Sequence, residues 1–393
     1  MNAPRQASFR NIRRTDGLRV DIDCQLVAAD GTTEDHALWF AFNRPVLTDD
    51  DALAVALSTL CGKAYQSIHM ELAPSEGILR QVEAFISATV STVGTGTAVG
   101  VRREGHVLSF SGGFDSLAAL SLMPEGTDLV SMDFGGRFGR ERTFFENFDT
   151  TIVSTNLLDT PLKKNSWSFM GSGAILASAH QRRAFHTFGS ILEAGSDNLR
   201  RSPVAASGAT FPPFKAAGFE NAPYVLGLTE IGTLFVLARY QREHIGNSLL
   251  SLASPGEEKL YRKYVLAKIA EDRLGVELNI PSVPKPPRPH FEFGQNFASD
   301  FLSIYVAKHA GHNVANDMLR DIPDEILNLG SRLDLTFYER ANSTLYEKFP
   351  TRLMGGLADK LAGAKMPFYV ERDWIEFSLI RETLGKYYPA VLV

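Results

Sequence analysis

Residues 107–118 read Val-Leu-Ser-Phe-Ser-Gly-Gly-Phe-Asp-Ser-Leu-Ala, and the fold turns on this stretch. Val107, Leu108 and Phe110, with Ser109 between them, form the apolar run of a short buried strand. Ser111-Gly112-Gly113-Phe114-Asp115-Ser116 follows as a tight loop of small residues, and Leu117, Ala118, Ala119, Leu120 and Leu122 supply a helix. A strand that feeds a glycine-rich turn into a helix aims backbone N–H groups and the positive helix end at one point, which suits a phosphate. Two consecutive glycines allow positive φ and a close approach of the backbone. Ser111 and Ser116 offer hydroxyl donors, and Asp115 offers a carboxylate for a hard cation such as Mg²⁺.

Working outward, strands and helices alternate from His106 to about Gly275. Asp128–Phe134, Thr150–Ser154 and Ala184–Leu192 read as strands, Val225–Leu228 starts a further unit, and 173–181 and 230–240 read as helices. This rhythm predicts a parallel sheet with helices on both faces, and ligands bind at the carboxyl ends of such strands. The loops after Phe110, Phe134 and Leu192 are therefore expected to share a crevice. Upstream, alternation over Leu18–Ala28 and 36–42 predicts a hairpin, and Asp49–Asp51 and Ser75 open two helices with a strand at 68–72 between them. Arg5, Arg10, Arg13 and Arg14 read as a solvated basic tail that lacks the apolar segment of a secretory signal. Gly94–Gly100 reads as a joint; its glycine spacing misses a dinucleotide fingerprint by one place and follows a helix pattern. Pro281–Pro289 reads as a spacer, and residues 290–393 are mostly helical by pattern. Three domains result: a small N-terminal α+β module (1–103), the loop-bearing α/β domain (104–280), and a proline-rich linker with a C-terminal helical region (281–393).

The bulk numbers exclude several classes. The apolar content of 44% and charged content of 22% are ordinary for a globular chain. A net charge of −5 argues against a nucleic-acid surface, and no stretch approaches the roughly 18–20 apolar residues of a membrane span. The two cysteines, Cys24 and Cys61, cannot build a four-thiolate zinc site, and their scarcity fits the reducing cytoplasm. His309 and His312 stand three apart on an expected helix without a third ligand nearby, and His180 and His186 flank a basic helix end. Trp167 and Phe169 either pack in the core or shape a pocket.

The hexapeptide 111–116 resembles the Ser-Gly-Gly-x-Asp-Ser loop of the N-type ATP pyrophosphatases (the PP-loop superfamily, adenine nucleotide alpha hydrolase-like). It is not the other common phosphate loop, since no Lys follows the glycines. Within that superfamily the chain looks most like the 7-cyano-7-deazaguanine synthase-like group. Met132-Asp133-Phe134-Gly135-Gly136 is similar to the strand end that holds adenine, and Lys164-Asn165 stands where the group carries an Arg-Asn pair. Residues 191–198, with Glu193, Gly195 and Asp197, are similar to its glycine and carboxylate segment, and 223–230 to its Pro-Leu-…-Ser-Lys segment. The resemblance spans about 106–275. It implies a doubly wound, HUP-like parallel sheet, and it assigns ATP to Ser109–Ser116, Met132–Phe134, Glu193, Gly195 and Asp197, with Mg²⁺ on Asp115. The group's zinc cysteines, expected near 251–267, are absent, so no zinc is expected. Glu230 stands where a pyrophosphate-binding Lys would be.

The chemistry implied is that of an amide-forming C–N ligase. A small-molecule or peptide carboxylate attacks the α-phosphorus of ATP, pyrophosphate leaves, and ammonia or an amine then displaces AMP. Such chemistry is largely positioning and electrostatics, carried here by Asp115 and Ser116. Arg137, Arg140 or Lys215 would supply the charge that Glu230 does not; Arg137 and Arg140 read equally well as a clamp on phosphate or carboxylate and as solvated loop residues. Glu193 and Asp197 read as ligands of a second metal or as groups that orient the nucleophile, or else as a helix cap and a surface acid. A separate glutaminase partner would fit the absence of a cysteine-based glutaminase signature. A non-catalytic nucleotide-binding module that regulates a partner enzyme is the other reading. The terminal segments read as caps of the crevice or as an oligomer interface, a homodimer included.

Overall fold

The computed structural model describes residues 5–98, 100, 102–200, 208–251 and 253–392. The chain forms two compact units that interleave along the sequence. Unit 1 comprises Met1–Ser111, Glu125–Phe188 and Thr210–Asn221; unit 2 comprises Gly112–Pro124, Gly189–Ala209 and Ala222–Val393.

Unit 1 carries the sheet. Its strands are β1 (Gln6–Thr15), β2 (Arg19–Val27), β3 (Thr33–Phe42), β4 (Ser67–Met70), β5 (Thr89–Thr92), β6 (His106–Ser109), β7 (Asp128–Asp133), β8 (Thr150–Thr155), β9 (Phe185–Thr187) and β10 (Glu220–Asn221). They lie in one sheet in the order β10-β9-β6-β7-β8-β3-β2-β1-β4-β5. The half from β10 to β8 is parallel throughout. β8 then meets β3 antiparallel, and β3, β2 and β1 form an antiparallel meander that gives way to parallel β4 and β5. The class is thus α/β with a mixed, mostly parallel sheet. β1–β5, from the stretch 1–103, share that sheet with β6–β10, from the stretch 104–280.

The helices of unit 1 are α1 (Asp50–Cys61), α2 (Glu76–Ile86), α4 (Gly139–Phe145), α5 (Ser172–Leu176), α6 (Ser178–Gln181) and α7 (Pro212–Ala216). α1 starts where the sequence predicts, its Asp49 carboxylate accepting from the Ala52 N–H at 2.8 Å. Ten of its residues, 52–61, are buried, so it is a core helix rather than a surface one. Unit 2 is helical among its described residues: α3 (Phe114–Leu122), α8 (Glu230–Tyr240), α9 (Ile245–Ser251), α10 (Glu258–Leu274), α11 (Phe297–His309), α12 (His312–Met318), α13 (Asp324–Arg332), α14 (Met354–Gly363) and α15 (Glu371–Leu384), joined by short 3₁₀ turns. No helix among the described residues is long and apolar enough to cross a membrane.

Three readings of the sequence need correction. The basic N-terminal stretch is no solvated tail: it is β1, paired with both β2 and β4. Ala7 and Phe9 are its buried apolar residues and Ile12 is half-buried, and two of its arginines face carboxylates from elsewhere in the chain, Arg13 facing Asp23 at 3.8 Å and Arg14 facing Asp50. The strand expected over 184–192 is three residues long and ends at Thr187. Val225–Leu228, read as the start of a further unit, is a buried turn; the parallel strand lies just before it, as two-residue β10. Buried turns and buried strands have the same apolar composition, so the pattern alone could not part them. Of the joint at 94–100, Val99 lies outside the described residues.

Candidate functional site

The stretch 107–118 folds as its sequence predicts: β6 ends at Ser109, and α3 begins at Phe114. Gly112 takes φ +74°, a backbone conformation that disfavours side chains, and Gly113 is the N-cap. The Leu117 N–H closes the first helical turn on the Gly113 carbonyl at 2.9 Å. N–H groups of a first turn have no intrahelical acceptor and present positive charge. The Ser116 hydroxyl donates back to the Gly113 carbonyl at 3.1 Å, and the Ser248 hydroxyl donates to the Gly112 carbonyl at 2.6 Å. Both bonds fix the loop. Gly189 presses on the same turn, since a Cβ there would lie 2.5 Å from the Ser116 nitrogen.

The first turn of α3 faces a cluster of buried charges in unit 2. Lys263, on α10, places Nζ 3.6 Å from Asp115 Oδ1 and 2.5 Å from Glu230 Oε1. The other Glu230 oxygen accepts from Arg262, which also reaches Glu258 at 3.1 Å. Glu193 accepts the Glu230 N–H at 2.7 Å and so caps α8. Lys263 also lies 5.0 Å from the centre of the Phe114 ring. Glu193, Glu230 and Lys263 are all buried.

Burial raises the Asp115 carboxyl above the usual aspartate range, an effect that Lys263 only partly offsets. Burial, with Glu230 as a like charge beside it, pushes Glu193 up to about 8. Glu230 goes the other way: burial would raise it, but Arg262 and Lys263 outweigh that and hold it well below the usual range. Lys263 stays charged against burial because Asp115 and Glu230 face it. Asp115 Oδ1 is buried and accepts no hydrogen bond.

The residues singled out from sequence thus fall into two groups. In unit 2, Asp115 and Glu193 gather around Glu230, with Gly112, Gly113, Phe114 and Ser116 forming the turn. Gly195 is extended, and Asp197 is half exposed and paired with its neighbour Arg200 at 2.7 Å. In unit 1, Asp133, Phe134 and Arg137 line a cavity of about 670 Å³ with Trp39, Phe138 and Lys163. Met132 is buried in β7, beside Asp133. Arg137 lies over the Phe138 ring at 4.8 Å, and Arg140 sits on α4. It is Arg142, a residue the sequence did not flag, that reaches Asp133, at 2.7 Å. Lys215 is exposed on α7, Phe110 packs edge-on to Phe148 at 4.8 Å, and Ser109 Oγ lies 2.8 Å from His186 Nε2. Ser111 closes unit 1 at the loop. Burial drops His186 to about 3, so its imidazole is neutral.

Sequence reasoning missed Lys263 and Arg262, the cations that do meet the loop aspartate and Glu230. One signal was present: along α10 the buried stripe Leu260, Lys263, Leu266, Ala267, Ala270 carries a lysine at an apolar position. Among the described residues no group of three or more His, Cys, Asp or Glu side chains is placed to hold a metal. Comparison of the chain with models of known families, with curated proteins and with solved structures finds no match.

Proposed function

We propose that this protein is an ATP-dependent synthetase of the PP-loop type, which adenylates a carboxylate with release of pyrophosphate and then transfers ammonia or an amine with release of AMP. The observation that carries this reading is the turn 111–116. Its left-handed Gly112 leads into α3, whose first turn holds a carboxylate oxygen without a hydrogen bond beside a buried lysine. The strand order supports it. β6 has β7 and β8 on one side and β9 and β10 on the other, so strand order reverses at β6, and the loop follows β6 directly. In open parallel sheets ligands bind at that switch point. The parallel half is accordingly read as a doubly wound, HUP-like sheet.

Asp115 suits Mg²⁺, which is commonly held by one or two carboxylates together with substrate phosphates. Its oxygen without a hydrogen bond is a fitting donor. When bound, the ion would neutralise charge that builds on the departing pyrophosphate. The chain's own part is positioning. The first turn of α3 and Lys263 offer N–H donors to the phosphates, while Ser248 and Gly189 hold the loop in shape. Glu230 beside Arg262 and Lys263 supports catalysis over a purely regulatory role, because the cation missing from the sequence position is supplied by α10.

The test is product analysis. Incubation with ATP, Mg²⁺ and a panel of carboxylates, with ammonium or an amine, is expected to give AMP and pyrophosphate in equal amounts. ADP and orthophosphate would place the protein in another class. Binding of ATP without turnover on any substrate would favour the regulatory module.

A further inference from the structure

We propose that Lys263 is the residue that takes the pyrophosphate oxygens of the bound nucleotide, and that Glu230 is the positioning residue that holds it at the first turn of α3. The inference rests on the ATP-binding role proposed above and assigns within it a residue that sequence resemblance could not find.

The ammonium of Lys263 has three donors. Its polar partners among the described residues are Glu230 at 2.5 Å and Asp115 at 3.6 Å. The second distance is too long for a hydrogen bond. Lys263 is therefore anchored at one side by Glu230 and under-coordinated at the side that faces α3. Phe114 and Asp115, the first two residues of α3, are the groups it faces there. A helix N-terminus with a lysine beside it draws an anion to one point. An incoming polyphosphate would replace the long Asp115 contact with short N–H to oxygen bonds.

Glu230 then acquires a purpose that its sequence position does not suggest. A carboxylate where a lysine is expected reverses the charge, yet this one binds two cations, Arg262 and Lys263. Glu230, Arg262 and Lys263 together carry a net +1, and the further carboxylates Asp115 and Glu258 face the same two cations. Arg262 occupies the other oxygen of Glu230 and is itself held by Glu258, so the anchor cannot swing away.

The experiment is calorimetric titration of the full chain with inorganic pyrophosphate and with ATP, on three variants. Lys263→Met removes the cation but strands Glu230. The double variant Glu230→Gln, Lys263→Met removes one charge of each sign and so leaves the net charge of the cluster unchanged, which keeps the test open should the single variant fail to fold. Lys263→Arg restores the charge. Loss of charge-assisted hydrogen bonds predicts roughly 10- to 100-fold weaker binding of both ligands in the two Met variants, with most of it recovered in Lys263→Arg. A folded double variant that binds pyrophosphate and ATP as tightly as the parent chain overturns the inference and leaves the proposed function standing. A parent chain that binds neither ligand overturns both.

Discussion

Two aspartates end up in opposite states. Asp133, at the end of β7 in unit 1, is saturated: it accepts from the Gly135 N–H at 3.0 Å, from Arg142 at 2.7 Å and from Ser154 at 2.9 Å. Burial would raise its carboxyl, but those three donors outweigh burial and hold it below the usual range. Asp115, at the start of α3 in unit 2, has an oxygen with no hydrogen bond, and its carboxyl is raised. Unit 1 spends its carboxylate on architecture. Unit 2 leaves Asp115 under-coordinated, against a buried lysine and at a helix N-terminus, which is where ligand chemistry has something to act on.

The contrast can be broken most forcefully at Gly189. An alanine Cβ would meet the α3 backbone at 2.5–2.8 Å, so Gly189→Ala is expected to cost about 3 kcal/mol or to prevent folding, as read by urea denaturation. Next is the paired comparison. Asp115→Asn is expected to leave the melting temperature unchanged or higher while pyrophosphate release falls roughly 100-fold. Asp133→Asn is expected to do the reverse in kind, costing about 1–2 kcal/mol of stability through the orphaned Arg142 and Ser154. If both variants behaved alike, the division between an architectural and a functional aspartate would fail.

A smaller effect separates the units by pH. Glu193 is raised in the folded state, so its contribution is complete below the unfolded glutamate value and is lost as pH rises through about 8. Asp133 is depressed, so its contribution is present above the unfolded aspartate value and is lost as pH falls through the folded one. Melting curves from about pH 2 to 9 should show the alkaline loss flattened in Glu193→Gln and the acid loss, below the unfolded aspartate value, flattened in Asp133→Asn. The smallest effect is expected at Arg137→Ala. That side chain forms no ion pair among the described residues, so stability should change by less than about 0.5 kcal/mol.

Much of this molecule was legible from local pattern. The loop 111–116, the capped α1 and the helices of the C-terminal region follow from periodicity, N-cap residues and glycine placement, which act within a few residues of one another. β1 was not legible, because its polar face is stabilised by Asp23 and Asp50 rather than by neighbours in the chain. The same holds for the candidate site. Arg137, Arg140 and Lys215 were the nearest basic residues to hand on motif grounds, whereas Asp115 meets Lys263, 148 positions away.

What the chain determines by itself is the strand–turn–helix at 107–122, because steric freedom at Gly112 and the apolar residues on either side of it leave little else. Only the tertiary structure decided which charges face that turn. Ion pairs between distant segments depend on how helices pack, and a buried lysine is tolerated only where folding brings carboxylates to it.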